Sequence, residues 1–247
     1  MSITQAVEYA QTVQADNGIF PPGDLYSDEP PLETELHLRQ MMLLLECLEW
    51  LWCDGQVPAP KGQRQDFYAG GNMTIYYSPN PRKSEYFRGP DFFVVLGTER
   101  KPRTSWTVWE EGGKYPNVIV ELLSESTANK DRGAKKEIYQ DIFRTPDYFW
   151  FNLNDLEFRG FHLVDGKYEE LQPNDQGWLW SQQLQLYLGV RQQQLRFFTA
   201  AGQLVPTPKE AALAEQQRAE AEQQRAEAAE TLLAQYREQF GELPKAE

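Results

Sequence analysis

The sequence predicts an α/β fold: a mixed central sheet flanked by helices, with a helical extension at the C-terminus. Three observations carry this. FRGPDFFVVL (Phe87 to Leu96), NVIVELLSEST (Asn117 to Thr127) and KDRGAKKEIYQ (Lys130 to Gln140) follow one another as strand, strand and helix. DYFWFNL (Asp147 to Leu153) returns after that helix as a short apolar strand, opened by Thr145-Pro146. From Pro208 onward the chain is built on a seven-residue repeat of good helix formers. Strands flanking a helix favour an α/β layer with a partly parallel sheet.

Taken in order, residues 1 to 20 read as a short helix or loose arm, and the Pro-rich, acidic PPGDLYSDEPPLE (Pro21 to Glu33) as a loop. Thr34 to Trp52 reads as a helix, because Leu36, Leu43, Leu44, Cys47, Leu48 and Leu51 recur at helical spacing. Glu33 and His37, four apart at its start, share a face. They suit a helix start with favourable acidic charge, or they point into a site. DFYAGGNMTIYYSP (Asp66 to Pro79) reads as a strand, with Gly70-Gly71 marking a bulge or a close backbone approach. Thr98 to Arg103 is a basic turn, and Ser105 to Trp109 a third strand closed by Gly112-Gly113. Val118 to Leu123 forms the acid-bearing strand. Ser124, Ser126 and Thr127 are candidate helix caps. After Asn154, turn signals at Asp165-Gly166, Asn174-Asp175 and Ala201-Gly202 suggest antiparallel hairpins, clearest in LRFFTAAGQLV (Leu195 to Val205). In the tail, Ala214 to Glu220 repeats as Ala221 to Glu227, and Leu232, Leu233, Tyr236 and Phe240 continue at helical spacing. Strong coiled coils carry Leu or Ile where these heptads carry Ala. Either self-association or a solvated helix fits.

Composition limits the classes. Aromatics make up 13% of 247 residues, which a disordered chain would not carry. Cys47 and Cys53 sit in the Leu- and Trp-rich helix and read as small buried side chains. Two histidines, His37 and His162, leave no His-rich zinc site. MSITQAVEYAQ lacks the basic start and apolar core of a secretion signal. No apolar run approaches the ~20 residues that span a bilayer. The expected compartment is the cytoplasm. The net charge of -13 speaks against nucleic-acid binding, which ordinarily leaves a basic footprint. Nine Glu against five Lys or Arg from Pro208 onward leave about -9 on the body.

The chemistry concentrates in three side chains. Asp91 follows Pro90 and enters the apolar run FFVVL, while Glu121 lies inside VIVELL. A carboxylate there needs a partner, either a metal ion or a cation in a salt bridge. On the following helix Lys135, Ile138, Tyr139 and Ile142 fall on one face, so Lys135 is the inward lysine, unless it snorkels to solvent. Two carboxylates and an amine fit hydrolysis of a phosphodiester. Oxygen ligands hold a hard ion such as Mg²⁺ or Mn²⁺, the ion lowers the pKa of a bound water, and the lysine stabilises developing charge. Tyr139 lines the site or packs in the core. The turn Arg100-Lys101-Pro102-Arg103 is the best local candidate for a DNA contact, beside a plain solvated loop.

Pro90-Asp91 followed by Glu121 in an apolar strand resembles the PD-(D/E)XK nuclease pattern. The lysine of that pattern ordinarily lies two residues after the acid, where this chain has Leu123. VELLSEST, DRGAKKEIYQ and RTPDYFWFN together resemble a narrower group, the Uma-two family of proposed restriction endonucleases, whose lysine has moved to the helix. Glu125 stands where that family often has Pro. The resemblance spans roughly Pro31 to Gly202. It implies a restriction-endonuclease-like core, with Asp91 and Glu121 as metal ligands, Lys135 in the lysine role and Glu33 as an auxiliary acid. The implied organisation is an N-terminal arm and Pro-rich loop over 1–30, the nuclease-like domain over 31–206 and the helical tail over 207–247. The implied partner is nucleic acid, DNA first; the tail lies outside the family's core pattern, and a homodimer is expected because cutting two strands needs two sites, with the tail as a candidate means of pairing. The competing expectation is a catalytically inactive nuclease fold that binds other proteins through its acidic surface and helical tail.

Overall fold

The acid-bearing strand, β6 (Val118–Leu123), is buried at all six positions, so it must lie inside a sheet covered on both faces. In this computed structural model, which describes residues 34–54, 64–78, 87–123 and 131–241, it does. The main sheet runs in the order β1 (Phe67–Gly71), β4 (Phe92–Leu96), β6, β7 (Asp147–Asn152), β8 (Phe158–Val164) and β9 (Lys167–Glu170). β6 and β7 pair in parallel, Val118 opposite Asp147 through Leu123 opposite Asn152. The other pairs are antiparallel. The sheet is mixed, and its parallel pair is joined by a helical connection, as such a pair requires. Two small sheets accompany it. One has the order β3 (Phe87–Arg88), β2 (Ile75–Tyr76), β5 (Trp106–Thr107), and the other β10 (Leu179–Ser181), β11 (Leu186–Arg191), β12 (Gln194–Phe198).

Strand alternation divides the core in two. Phe92, Val94, Val118, Val120, Leu122, Phe149 and Phe151 face one way, onto α1 (Glu35–Glu49) and the inner side of β10–β12. Phe93, Val95, Ile119, Leu123, Tyr148 and Trp150 face the other way. There they meet Tyr139 and Phe143 of α2, a helix formed by Asp131–Lys135, Lys136–Ile138 and Tyr139–Phe143, with π-helical first and last parts. Fully burying one such aliphatic or aromatic side chain stabilises the fold by about 1.5–3 kcal/mol.

α1 starts where Thr34 accepts a hydrogen bond from the His37 backbone N–H at 3.2 Å, and it runs on as a π-helical turn, Trp50–Asp54. Its inward stripe differs from the expected one. Leu44, Cys47, Leu48 and Leu51 are buried, whereas Leu36 is exposed and the buried first turns hold His37 and Gln40. Gln40 is buried because its amide matches the edge of β12. It donates to the Leu195 carbonyl at 2.9 Å and accepts from the Leu195 N–H at 3.0 Å.

Three strand expectations are corrected. The strand expected over Asp66 to Pro79 breaks at Asn72, whose φ of 45° leaves the extended region. Gly70 and Gly71 are indeed points of close approach: a Cβ on Gly70 would lie 2.7 Å from the Phe93 ring, and one on Gly71 2.6 Å from the Met41 sulfur. The strand expected over Ser105 to Trp109 is only Trp106–Thr107, because Glu110 and Gly113 turn back to bond the carbonyls of Thr107 and Val108. LRFFTAAGQLV does not form a full hairpin. β12 spends its pairing on β11 through a turn at Gln192-Gln193, and Leu204 returns only as a single bridge to Phe198.

The chain divides into two compact units, 1–205 and 206–247. The second contains α3 (Pro208–Phe240). The expected N-terminal arm, the Pro-rich loop with Glu33, and the caps Ser124, Ser126 and Thr127 lie outside the described residues. Cys47 is buried as expected; the side chain of Cys53 is likewise not described. Among the described residues no helix is long and apolar enough to cross a membrane.

Candidate active site

Glu121 has no exposed surface and shares a face of β6 with Ile119 and Leu123, under α2. An unpartnered carboxylate there would cost several kcal/mol. α2 supplies two partners one helical turn apart. The Lys135 Nζ lies 3.0 Å from Glu121 Oε2, and the Tyr139 hydroxyl donates to Oε1 at 2.6 Å. Burial pushes the Tyr139 hydroxyl well above its usual pKa, and the charge and hydrogen bond of Glu121 push it further, so it stays a protonated donor.

Asp91 stands where β4 begins. Since Phe92 pairs with Val120, the antiparallel register continues to bring Asp91 beside Glu121 on the neighbouring strand. Its Oδ2 accepts the Leu122 backbone N–H at 2.7 Å, and its Oδ1 lies 2.9 Å from the His37 Nε2 of α1. Burial pushes its carboxyl up. The hydrogen bond and charge of His37, the charge of Lys135 and the Leu122 amide outweigh that, and hold it below the ordinary carboxylate value. Lys135 thus acts on both acids, touching one and stabilising the other through space. Asp91, Glu121, Lys135, His37 and Tyr139 are brought together from α1, β4, β6 and α2, while Glu33 lies outside the described residues.

Two adjacent carboxylates are oxygen donors of the kind a hard divalent cation takes one or two of, keeping water on its remaining positions. Among the described residues no group of three His, Cys, Asp or Glu side chains is arranged to hold an ion.

Each cation of the basic turn has an acidic neighbour. Arg103 is buried between Tyr68 and Trp106, its guanidinium 4.7 and 4.8 Å from the ring centroids, and forks onto Glu111 at 2.6 and 2.9 Å. Arg100 pairs with Glu49 at 3.2 Å and Lys101 with Glu99 at 3.6 Å. Of the three cations in this turn, Arg103 is turned into the fold, while Arg100 and Lys101 stay exposed in surface pairs. Lys136 is half-buried with its ammonium 3.4 Å above the Phe161 ring.

One polar cluster went unforeseen. Asp147 is fully buried at the start of β7 and accepts from the Ser181 hydroxyl at 2.6 Å and the Gln183 N–H at 2.9 Å, with His162 Nδ1 2.7 Å from its other oxygen. Serine and histidine both bond the aspartate rather than each other, so this is no nucleophilic triad; it ties the main sheet to β10–β12. The signal that singled out Asp91, an acid opening an apolar strand, was equally present in DYFWFN.

Three comparisons bear on identity. The chain matches the Uma2 family, described as "Putative restriction endonuclease", over residues 20–200, a stretch that contains Asp91, Glu121 and Lys135. No curated protein matches it. Among solved structures, a "putative nuclease belonging to DUF820" from Anabaena variabilis aligns with a TM-score of 0.43 and 8% identity over 63% of this chain and 76% of that one, too distant to carry an argument. The family match covers well over half of the sequence, and the resemblance first seen in VELLSEST and DRGAKKEIYQ is borne out: the chain belongs to the Uma2 family.

Proposed function

We propose that the protein is a divalent-metal-dependent endonuclease acting on DNA, with a site of PD-(D/E)XK type in which Asp91 and Glu121 hold the ion. The observation that carries this reading is the fully buried Glu121, set by strand register beside Asp91 and gripped by Lys135, within the family-matched stretch. Mg²⁺, or Mn²⁺ in its place, supplies a water of lowered pKa and charge neutralisation at the phosphate. The chain's residues do the rest. His37 and the Leu122 amide orient Asp91 and keep it ionised. Tyr139 fixes one oxygen of Glu121. Lys135 brings a positive charge to the place where the phosphate gains negative charge. Cutting both strands calls for two sites, so the proposed working form is a pair of chains associated through α3.

The test is plasmid nicking by purified protein with Mg²⁺ or Mn²⁺. Asp91→Asn and Glu121→Gln are expected to lower the rate by at least about 10²-fold, the scale of losing a main electrostatic contributor. Metal-dependent nicking that persists in both variants ends the proposal.

A second reading rests on two observations. Each carboxylate already has protein partners on both oxygens, and the net charge is -13. These suit a nuclease fold retained as a protein-binding module. Calorimetry separates the two: the module reading expects no heat of Mn²⁺ binding that Glu121→Gln abolishes, and no cleavage of any substrate.

A further inference from the structure

We propose that Lys135 is a built-in counter-ion which holds the place of the divalent cation, and that metal binding displaces its amine from Glu121. This rests on the metal-site reading above and deepens it. The argument is one of charge and geometry. Glu121 is wholly enclosed, and the Lys135 ammonium lies 3.0 Å from its Oε2. The other oxygen is committed to Tyr139. Asp91, next to Glu121 by register, has one oxygen on a backbone amide and the other on His37, and the Lys135 charge stabilises it as well. The same ammonium therefore serves two neighbouring carboxylates, the electrostatic position a divalent ion would occupy. Two like charges that close need such a partner for both to stay ionised.

An ion entering between the two acids meets Lys135 at Glu121 Oε2. A cation and an ammonium cannot share that oxygen without repulsion between like charges. Lys135 has somewhere to go: its side chain retains 25% of its exposure, whereas that of Glu121 retains none. Released, the amine has open solvent on its exposed side to move into. One residue thus keeps the empty site folded and becomes free to act only once the ion is in place. Among the described residues, the helix that carries Lys135 reaches Glu121 through Lys135 and Tyr139.

Two measurements on the full-length protein test the proposal. The first is Mn²⁺ binding by calorimetry at pH 8.5 in wild type, Lys135→Met and Glu121→Gln. Removing the competing ammonium is expected to tighten Mn²⁺ binding on the order of tenfold, with Glu121→Gln abolishing it. The second is acetylation of Lys135 in the wild-type protein, followed by mass spectrometry with and without saturating Mn²⁺. Release of the amine is expected to raise its labelling rate severalfold, and this readout stands even if Lys135→Met fails to fold. Wild-type binding with unchanged or weaker affinity in Lys135→Met, or unchanged labelling, overturns the place-holder while leaving the nuclease reading intact. Absence of Mn²⁺ binding in wild type and variant alike overturns both.

Discussion

Glu121 and Arg103 are both charged and both buried, and the protein resolves them differently. Glu121 meets two donors from α2, while Arg103 meets one carboxylate and two aromatic faces. Each arrangement gives a distinct expectation. Tyr139→Phe keeps the ring against Phe143 and Tyr148 but strips one donor from a carboxylate with no access to water. It is expected to lower stability by about 1–3 kcal/mol in urea denaturation. Arg103→Ala leaves Glu111 without its fork in a mostly buried setting and is expected to cost about 3–5 kcal/mol. High salt should not reproduce that loss, because a buried pair is poorly screened. A loss below about 1 kcal/mol in either variant would show that water replaces the missing partner.

At the scale of elements, α3 is the part whose start is most fully specified. Thr207 accepts from the Glu210 N–H at 3.1 Å, Glu210 returns the bond to the Thr207 N–H at 2.8 Å, and Pro208 fills the first helical position. Thr207→Ala is expected to remove about 1 kcal/mol from the helix, read as lower helicity of the tail on mild heating, with the near-ultraviolet aromatic signal of the main domain unchanged. The close β1–β4 approach gives a sharper expectation. Gly70→Ala drives a methyl group into the Phe93 ring, and about 1–3 kcal/mol of destabilisation should follow. The π-helical start and end of α2 were not legible in DRGAKKEIYQDIF. Apolar spacing specifies a helical face, and the tertiary contacts of Lys135, Tyr139 and Phe143 decide how tightly the helix is wound.

At the scale of the whole molecule, charge governs behaviour. Asp91 has its pKa held down in the folded state, so its contribution to stability is complete above the ordinary carboxylate range, near 4, and is lost as pH falls through its lower folded value. The melting temperature of wild type is therefore expected to fall faster than that of Asp91→Asn on acidification below about pH 4. Parallel slopes would remove Asp91 from the acid response. With a net charge of -13 and each cation of the basic turn paired with an acid, DNA binding without divalent ions is expected to be weak, with a shallow salt dependence. Divalent ions should strengthen it in a filter-binding assay, and a steep salt slope without metal would reveal a basic surface elsewhere. If α3 pairs two chains, light scattering should give twice the mass of 28.6 kDa, falling to one chain when residues 207–247 are removed.

The sequence by itself determined the order of strand, strand, helix and strand, the buried acid in VIVELL, the inward face of α2, the helical tail and the family. Each follows from local periodicity or from a short motif, which reside in neighbouring residues. Only the tertiary structure decided that His37 reaches Asp91, that Leu122 offers Asp91 its amide, that Arg103 turns inward to Glu111, and that Asp147 fastens one sheet to another. It also decided that Leu195 to Val205 gives its pairing to an earlier strand. These partners stand from 8 to 54 residues apart in the chain. Hydrogen bonds and charges act over a few ångströms in space, so which acid meets which base is set by strand register and helix placement, and no local pattern records it.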